Sequence, residues 1–413
     1  MTGRASGGRR MPNAAIADLM ELERVRDHDQ FIVVLRERLA ADRRVLTNAR
    51  VKQWLGRRWR DLFLVEAITD EKALAVASVR RRNDARSDRQ KIAERFLAHD
   101  IEDWRLELPA ARRAGRKKQS VVYSPSFVHS GIPLIGFADE FPVVAQRHSL
   151  SVVRADSHGI RGAGANAVNL LDAAVRGIGS DAAGVPIAKP RKPGDVVLFG
   201  YSKGATDAYV FQGLHLDVAP QLRAVVNWAG CIGGTPFVDD LYRVLAPLPM
   251  TLGPGRAAIL PILKAALPLA NLDGLLERRD EFDLKAALLD LTTAERKRFA
   301  AEYAEAIDDT DVPVFNVAGA VSPLEVPHFQ AQAAISLGRK CGANDMQLAV
   351  EHAQSHQPMS TTLGVVRAHH WDIALGPFPR SHRLGSSKLD NKFPRQAALA
   401  ATFVLLNELG LSG

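Results

Sequence analysis

The sequence predicts an α/β protein: a mainly parallel sheet covered by helices on both faces, with a helical cap inserted into it and a charged helical region, residues 1–118, in front of it. Three observations carry this. From Ser120 onward, short β-branched apolar runs alternate with helically spaced ones, the pattern of strand–helix–strand units. In DVVLFGYSKGATDAY, Asp195–Tyr209, a serine stands between two glycines where an apolar run stops and a helical pattern starts. Charge is unevenly divided: residues 1–118 hold 28 Lys and Arg against 18 Asp and Glu, and the rest of the chain 26 against 28.

The chain opens with MTGRASGGRRMPNAAIADLMELERVRD, which has basic residues but no apolar stretch to follow them. No window approaches the roughly eighteen apolar residues of a membrane span. Neither a secretory signal nor a span is therefore expected, and the expected location is cytoplasmic. DHDQFIVVLRERLAADRRVLTNARVKQWL mixes both signs along a helical spacing, as the solvated faces of amphipathic helices do. The basic stretches VRRRNDARSDRQK and RRAGRKKQ lack interleaved aromatics and carry acids nearby, so nucleic acid is not an expected partner; peripheral contact with a membrane or a protein through these helices stays open. ARRAGRKKQS, around residues 111–120, reads as an exposed connector, and the boundary of the second region, 119–413, falls there.

That region is read as strand SVVYSPSFV, helix ADEFPVVAQRH, strand SLSVVRAD, helix NAVNLLDAAVRGI, strand DVVLFG, the helix after Ser202, and strand LRAVVNWAG. A long helical stretch, residues 235–311, intervenes before the next strand, DVPVFNVAG, and TTLGVVRA is the last strand. The first half of the stretch, LAPLPMTLGPGRAAILPILKAALPLANLDGLL, is apolar, broken by prolines and nearly uncharged. Such a surface excursion is expected to cover something apolar, as a lid or cap, with Leu260, Leu263 and Leu267 facing a bound substrate. Cys231 and Cys341 allow at most one bridge, which favours a reducing compartment. The histidines fall in different elements and both cysteines stand alone, so no metal site is expected, and no cofactor.

Gly200-Tyr201-Ser202-Lys203-Gly204 is a G-x-S-x-G between a strand and a helix. A strand that turns sharply into a helix strains its turning residue and crowds the backbone two positions away on each side, which is where the glycines stand. The serine oxygen is then held clear of the sheet, and the next N–H, that of Lys203, can meet a developing oxyanion. A phosphate-binding turn is the competing reading, but the glycines match neither G-x-G-x-x-G nor G-x-x-x-x-G-K-[ST]. The Lys203 side chain is expected at the surface or behind the site, not as an acid or base, and Cys231 is not expected to be a second nucleophile.

The strand order, the GYSKG turn, the helical insertion after AVVNWAGCIGGTP and the late HHWDIAL segment resemble the α/β-hydrolase family, and within it the bacterial lipases and esterases. The resemblance covers residues 120–410 or so and leaves residues 1–118 outside. It implies an acyl-transferring serine followed along the chain by an acid and a histidine. His369 and His370 follow the last strand, while His328, His352 and His356 precede it; the family's histidine before a tryptophan matches His370, beside Trp371, with His369 second. For the acid, Asp345 in CGANDMQLAVEHA matches the family's Asn-Asp loop, Glu325 is the reserve and Glu351 a third candidate; Asp372 sits too near His370 in sequence. An Asp capping the helix that starts near Gln347 is the plainer reading of Asp345. The oxyanion donors implied are Lys203 N–H and, from FVHSGIP, Gly131 N–H. The implied function is carboxylic ester hydrolysis, lipase-like or polyester depolymerase-like, on a small-molecule, lipid or polyester ester. An amidase, a thioesterase or an acyltransferase would use the same residues, and a non-catalytic binding or scaffold protein on the same fold is the alternative from another class.

Overall fold

The computed structural model describes residues 11–78, 84–98, 105, 108–110, 119–126, 135–247 and 281–411. In chain order the helices of the N-terminal region are α1 (Ala17–Arg24), α2 (His28–Ala41), α3 (Ala49–Ala67), α4 (Glu71–Ala77) and α5 (Asp88–Phe96). Then follow β1 (Gln119–Ser124), α6 (Glu140–His148), β2 (Leu150–Arg154), α7 (Ala163–Arg176), β3 (Val196–Tyr201), α8 (Lys203–Leu214) and β4 (Leu222–Trp228). The chain continues through α9 (Pro236–Leu245), α10 (Leu284–Leu289), α11 (Thr293–Asp308), β5 (Val314–Gly319), α12 (Ala331–Cys341), β6 (Ser360–Val366) and α13 (Arg395–Glu408). The six strands form one parallel sheet in the order β2-β1-β3-β4-β5-β6.

Alternation along each strand divides the apolar side chains between two cores. Val197, Phe199 and Tyr201 of β3 enter one, with Val226 and Trp228 of β4; Val196 and Leu198 enter the other, with Val225. Parallel strands buried on both faces carry mostly apolar residues, which is why the strands read as largely apolar runs; Asn227 of β4 and Asn316 of β5, both buried, answer each other with a hydrogen bond of 2.8 Å.

The first core is covered by α6, α13 and the N-terminal helices. Asn48 caps α3 by accepting the Arg50 N–H, and Val51, Trp54, Leu55, Leu62 and Phe63 recur at helical spacing on its buried face. Trp59 lies on Gly364 of β6, where a Cβ would come within 2.5 Å of the indole, and its Nε1–H donates to Thr402 Oγ1 of α13 at 2.9 Å. Helices α1 to α5 thus share a core with the sheet. Many of their exposed charges are paired, as in Arg24–Glu21, Arg38–Asp18 and Arg86 with Asp84 and Glu94; residues 112–118 of RRAGRKKQ lie outside the described residues.

The second core is closed by α7 and α8. The end of the 235–311 stretch, α11, packs on α8: a Cβ on Gly213 would come within 2.7 Å of the Phe299 ring. Leu260, Leu263 and Leu267 lie outside the described residues. Among the described residues, no helix is long and apolar enough to cross a membrane.

Candidate active site

Ser202 follows β3 and caps α8 with φ 55° and ψ −122°, a conformation that costs a non-glycine residue on the order of 1–3 kcal/mol. Packing explains the glycines around it. A Cβ on Gly200 would lie 2.5 Å from Ala205 Cα, and one on Gly204 2.0 Å from the Ser124 carbonyl oxygen. The turn is pinned by the Ser202 N–H, which donates to Trp228 O at 3.0 Å, and by the Ser202 carbonyl, which accepts from Ala205 N–H at 3.1 Å.

Across the carboxyl edge of the sheet, His370 follows β6 and Asp345 follows β5. Ser202 Oγ lies 2.8 Å from His370 Nε2, and His370 Nδ1 lies 2.7 Å from Asp345 Oδ2. The other carboxylate oxygen accepts the N–H groups of Gln347 and Leu348 at 3.0 and 2.7 Å, so this acceptor-only group draws the imidazole proton to Nδ1 and leaves Nε2 to accept from the serine hydroxyl. Asp345 thus caps a short turn and meets the histidine at once. The two loops are further joined by His370 N–H donating to Asp345 O at 2.9 Å. Gly319, at the end of β5, permits this approach: a Cβ there would lie 2.6 Å from Ala368 O and 3.0 Å from Asp345 Cβ. Tyr201, buried and turned toward the same core as Phe199, donates its hydroxyl to His370 O at 2.6 Å and stacks on the imidazole at 5.5 Å between centroids. Sequence reasoning gave Tyr201 no role, because the variable second position of G-x-S-x-G carries no signal.

The other candidates have different partners. His369 is buried, with Nε2 3.0 Å from Lys388 O and Nδ1 accepting from Asp372 N–H at 3.2 Å; burial pushes its pKa down. Glu325 accepts from Arg367 Nε at 2.8 Å and from Ser322 N–H at 3.1 Å, and Glu351 is exposed. Cys231 is free and buried, and desolvation pushes its thiol up to about 12, far from a thiolate. No group of three or more His, Cys, Asp or Glu among the described residues could hold a metal. Gly131 lies outside the described residues.

Lys203 is buried behind the turn. Its Nζ donates to Asp207 Oδ1 at 2.7 Å, and Asp207 Oδ2 accepts from Asn166 Nδ2 at 2.9 Å. Burial pushes the Asp207 carboxyl up while the Lys203 ammonium pulls it back. The spacing Lys203–Asp207 is visible in the sequence; its burial is not.

A carboxyl esterase of metagenomic origin shares this fold, with a TM-score of 0.57 at 19% identity over 85% of this chain and 91% of the esterase. Lipase 1 of Pelosinus fermentans has a TM-score of 0.44 at 10% identity over 69% of this chain and 98% of its own. For the mature Bacillus licheniformis lipase BlEst2 the values are 0.40 and 15%, over 64% and 89%. The chain has the α/β-hydrolase fold. Residues 119–413 are 295 of the 413, about 71%, so a coverage of 85% takes in part of the N-terminal helical region that the sequence resemblance left outside. No family model and no curated protein matches the sequence.

Proposed function

We propose that the chain is a serine hydrolase that cleaves carboxylic esters through an acyl-enzyme. The observation that carries this reading is the unbroken hydrogen-bonded series from Ser202 Oγ through His370 to Asp345, on a serine held in strained backbone at a helix N-terminus. The fold shared with a carboxyl esterase supports it.

Ser202 Oγ attacks the ester carbonyl while His370 Nε2 takes its proton, and Asp345 holds the imidazole tautomer and balances the imidazolium. Lys203 N–H receives the oxyanion of the tetrahedral adduct, with Gly131 N–H as the proposed second donor. The C–O bond to the alcohol breaks as His370 returns the proton to the leaving oxygen. Water then attacks the acyl-serine, His370 taking its proton and passing it to Ser202 as the acid departs.

The substrate proposed is an ester with a medium or long aliphatic acyl group, met by Leu260, Leu263 and Leu267 of the apolar stretch. Each buried methylene is worth about 0.8 kcal/mol, so kcat/KM is expected to rise a few-fold per carbon until the pocket is filled. Labelling by a fluorophosphonate probe tests the nucleophile, and p-nitrophenyl esters from acetyl to octanoyl test the acyl group. Absence of labelling and of ester turnover would overturn the function; a flat or falling chain-length profile would overturn the acyl assignment alone.

A further inference from the structure

Resting on the reading above, we propose that the Lys203 side chain is a positioning residue for the oxyanion side of the site. Its buried ion pair with Asp207, tied through Asn166 to the loop after β2, holds the first turn of α8 so that Lys203 N–H faces the developing oxyanion.

The arrangement runs against what helix stability alone would select. Lys203 is the first residue of α8, and an ammonium there opposes the preference for negative charge at a helix N-terminus. The pair also runs Lys to Asp at i,i+4, the less favourable order. Both side chains are almost fully desolvated, at 1% and 2% exposure, where apolar residues of similar size usually serve stability as well or better. What the pair supplies is a connection. Asp207 receives Lys203 on one oxygen and Asn166 on the other. Asn166, in the first turn of α7, closes both ends of its amide on His158: Nδ2 donates to the carbonyl at 2.9 Å and Oδ1 accepts the N–H at 3.0 Å. The segment leaving β2 is thereby joined to the turn carrying Lys203 N–H.

The opposite side of that turn has no slack either, because Gly204 lies against the Ser124 and Pro125 carbonyls at the end of β1. The first turn of α8 is thus held between two neighbouring segments. Asp290 and Arg296 are further charged groups near this pair, and they face each other at 3.7 Å.

The test uses the full chain and three variants, Lys203→Met, Lys203→Arg and the double variant Lys203→Met/Asp207→Asn. The double variant avoids stranding a buried carboxylate and retains an acceptor for Asn166, so it keeps the question open to measurement if Lys203→Met folds poorly. Expected for Lys203→Met and the double variant is a fall in kcat of roughly tenfold to a hundredfold with KM little changed, since misplacing one oxyanion donor acts on the transition state. The inhibition constant of an alkyl boronic acid, which forms a tetrahedral adduct on the serine, should rise by the same factor, and Lys203→Arg should recover part of both. A double variant with wild-type kcat and boronate affinity, whatever its Tm, would overturn the inference. Wild-type enzyme that neither hydrolyses esters nor labels would instead overturn the proposed function, so the two failures are distinguishable.

Discussion

Two buried ion-pair clusters sit in different regions and differ in what they hold. Behind Ser202, Lys203 and Asp207 lie within one helix and reach out through a neutral amide. In the N-terminal cover, Arg58 of α3 is fully buried and crosses 350 residues of sequence to Glu408 of α13, with Nε donating to Oε2 at 2.9 Å and Nη2 to Oε1 at 2.5 Å. Its Nη1 donates to Asp61 at 3.0 Å, and Asp61 also receives Arg89 of α5 at 2.5 Å. The bidentate fork is a geometry only Arg provides, suited to fixing two helices in one register. The first cluster adjusts a turn; the second joins the start of the chain to its end. On the proposed reading, similar chemistry serves rate in one place and fold in the other, and variants should separate the two.

The largest effect expected is at the nucleophile. Ser202→Ala should lower ester turnover by about 10³–10⁶-fold and abolish fluorophosphonate labelling, with the fold intact by circular dichroism. Full labelling of that variant would place the nucleophile elsewhere. Next comes Asp345→Asn, which still caps the turn through Oδ1 but no longer fixes the imidazole proton on Nδ1; kcat should fall about 10³–10⁴-fold with the fold intact by circular dichroism.

On the other side of the comparison, Arg58→Met leaves Glu408 and Asp61 buried without their shared cation. A loss of about 3–5 kcal/mol is expected in urea unfolding, with kcat per folded molecule close to wild type. A variant that keeps its stability but loses kcat would break the distinction drawn between the clusters.

The smallest effect concerns a half-buried carboxyl that, unlike Asp207 and Glu408, has no ion-pair partner among the described residues. Asp308, at the C-terminal end of α11, has an unpartnered Oδ1, and burial, with Asp309 adding to it, pushes its pKa up to about 6. A folded-state value above the unfolded one means that the native state binds the proton more tightly between about pH 4 and 6, so this group's contribution to stability falls as pH rises through that window. Asp308→Asn should therefore raise Tm slightly at pH 7–8, with the gain fading toward pH 4. An equal shift at both pH values would mean that the charge is not what matters.

Much of the sheet and the site was legible because their signals are local. Each parallel strand is buried on both faces and so reads as an apolar run, and the elbow needs small residues at fixed offsets from Ser202. The same locality explains what was not legible. Lys203 was expected at the surface or behind the site, and nothing in GYSKG states that its ammonium is sealed against Asp207. The charged N-terminal helices read as solvated faces, but amphipathic spacing does not say which surface the apolar stripe meets. It meets β6 and α13, through contacts such as Trp59 on Gly364 and Arg58 on Glu408, that span some three hundred residues or more.

The sequence by itself determined the order of the strands from Ser120 onward and marked the turn at Ser202, because apolar runs and glycine offsets are local signals; the helix expected near Gln347 is instead a turn capped by Asp345, and the crowding that demands Gly204 comes from Ser124, far away in sequence. His370 and Asp345 were nominated by resemblance; their meeting depended on β5 and β6 lying side by side, with a glycine at position 319 letting the two loops touch. Only the tertiary structure decided which of two adjacent histidines faces the serine, since His369 and His370 differ by the backbone that turns one toward Lys388 O and the other toward Ser202. It also decided that helices α1 to α5 share the core of the sheet, because which apolar faces meet is set by long-range packing that no local periodicity encodes.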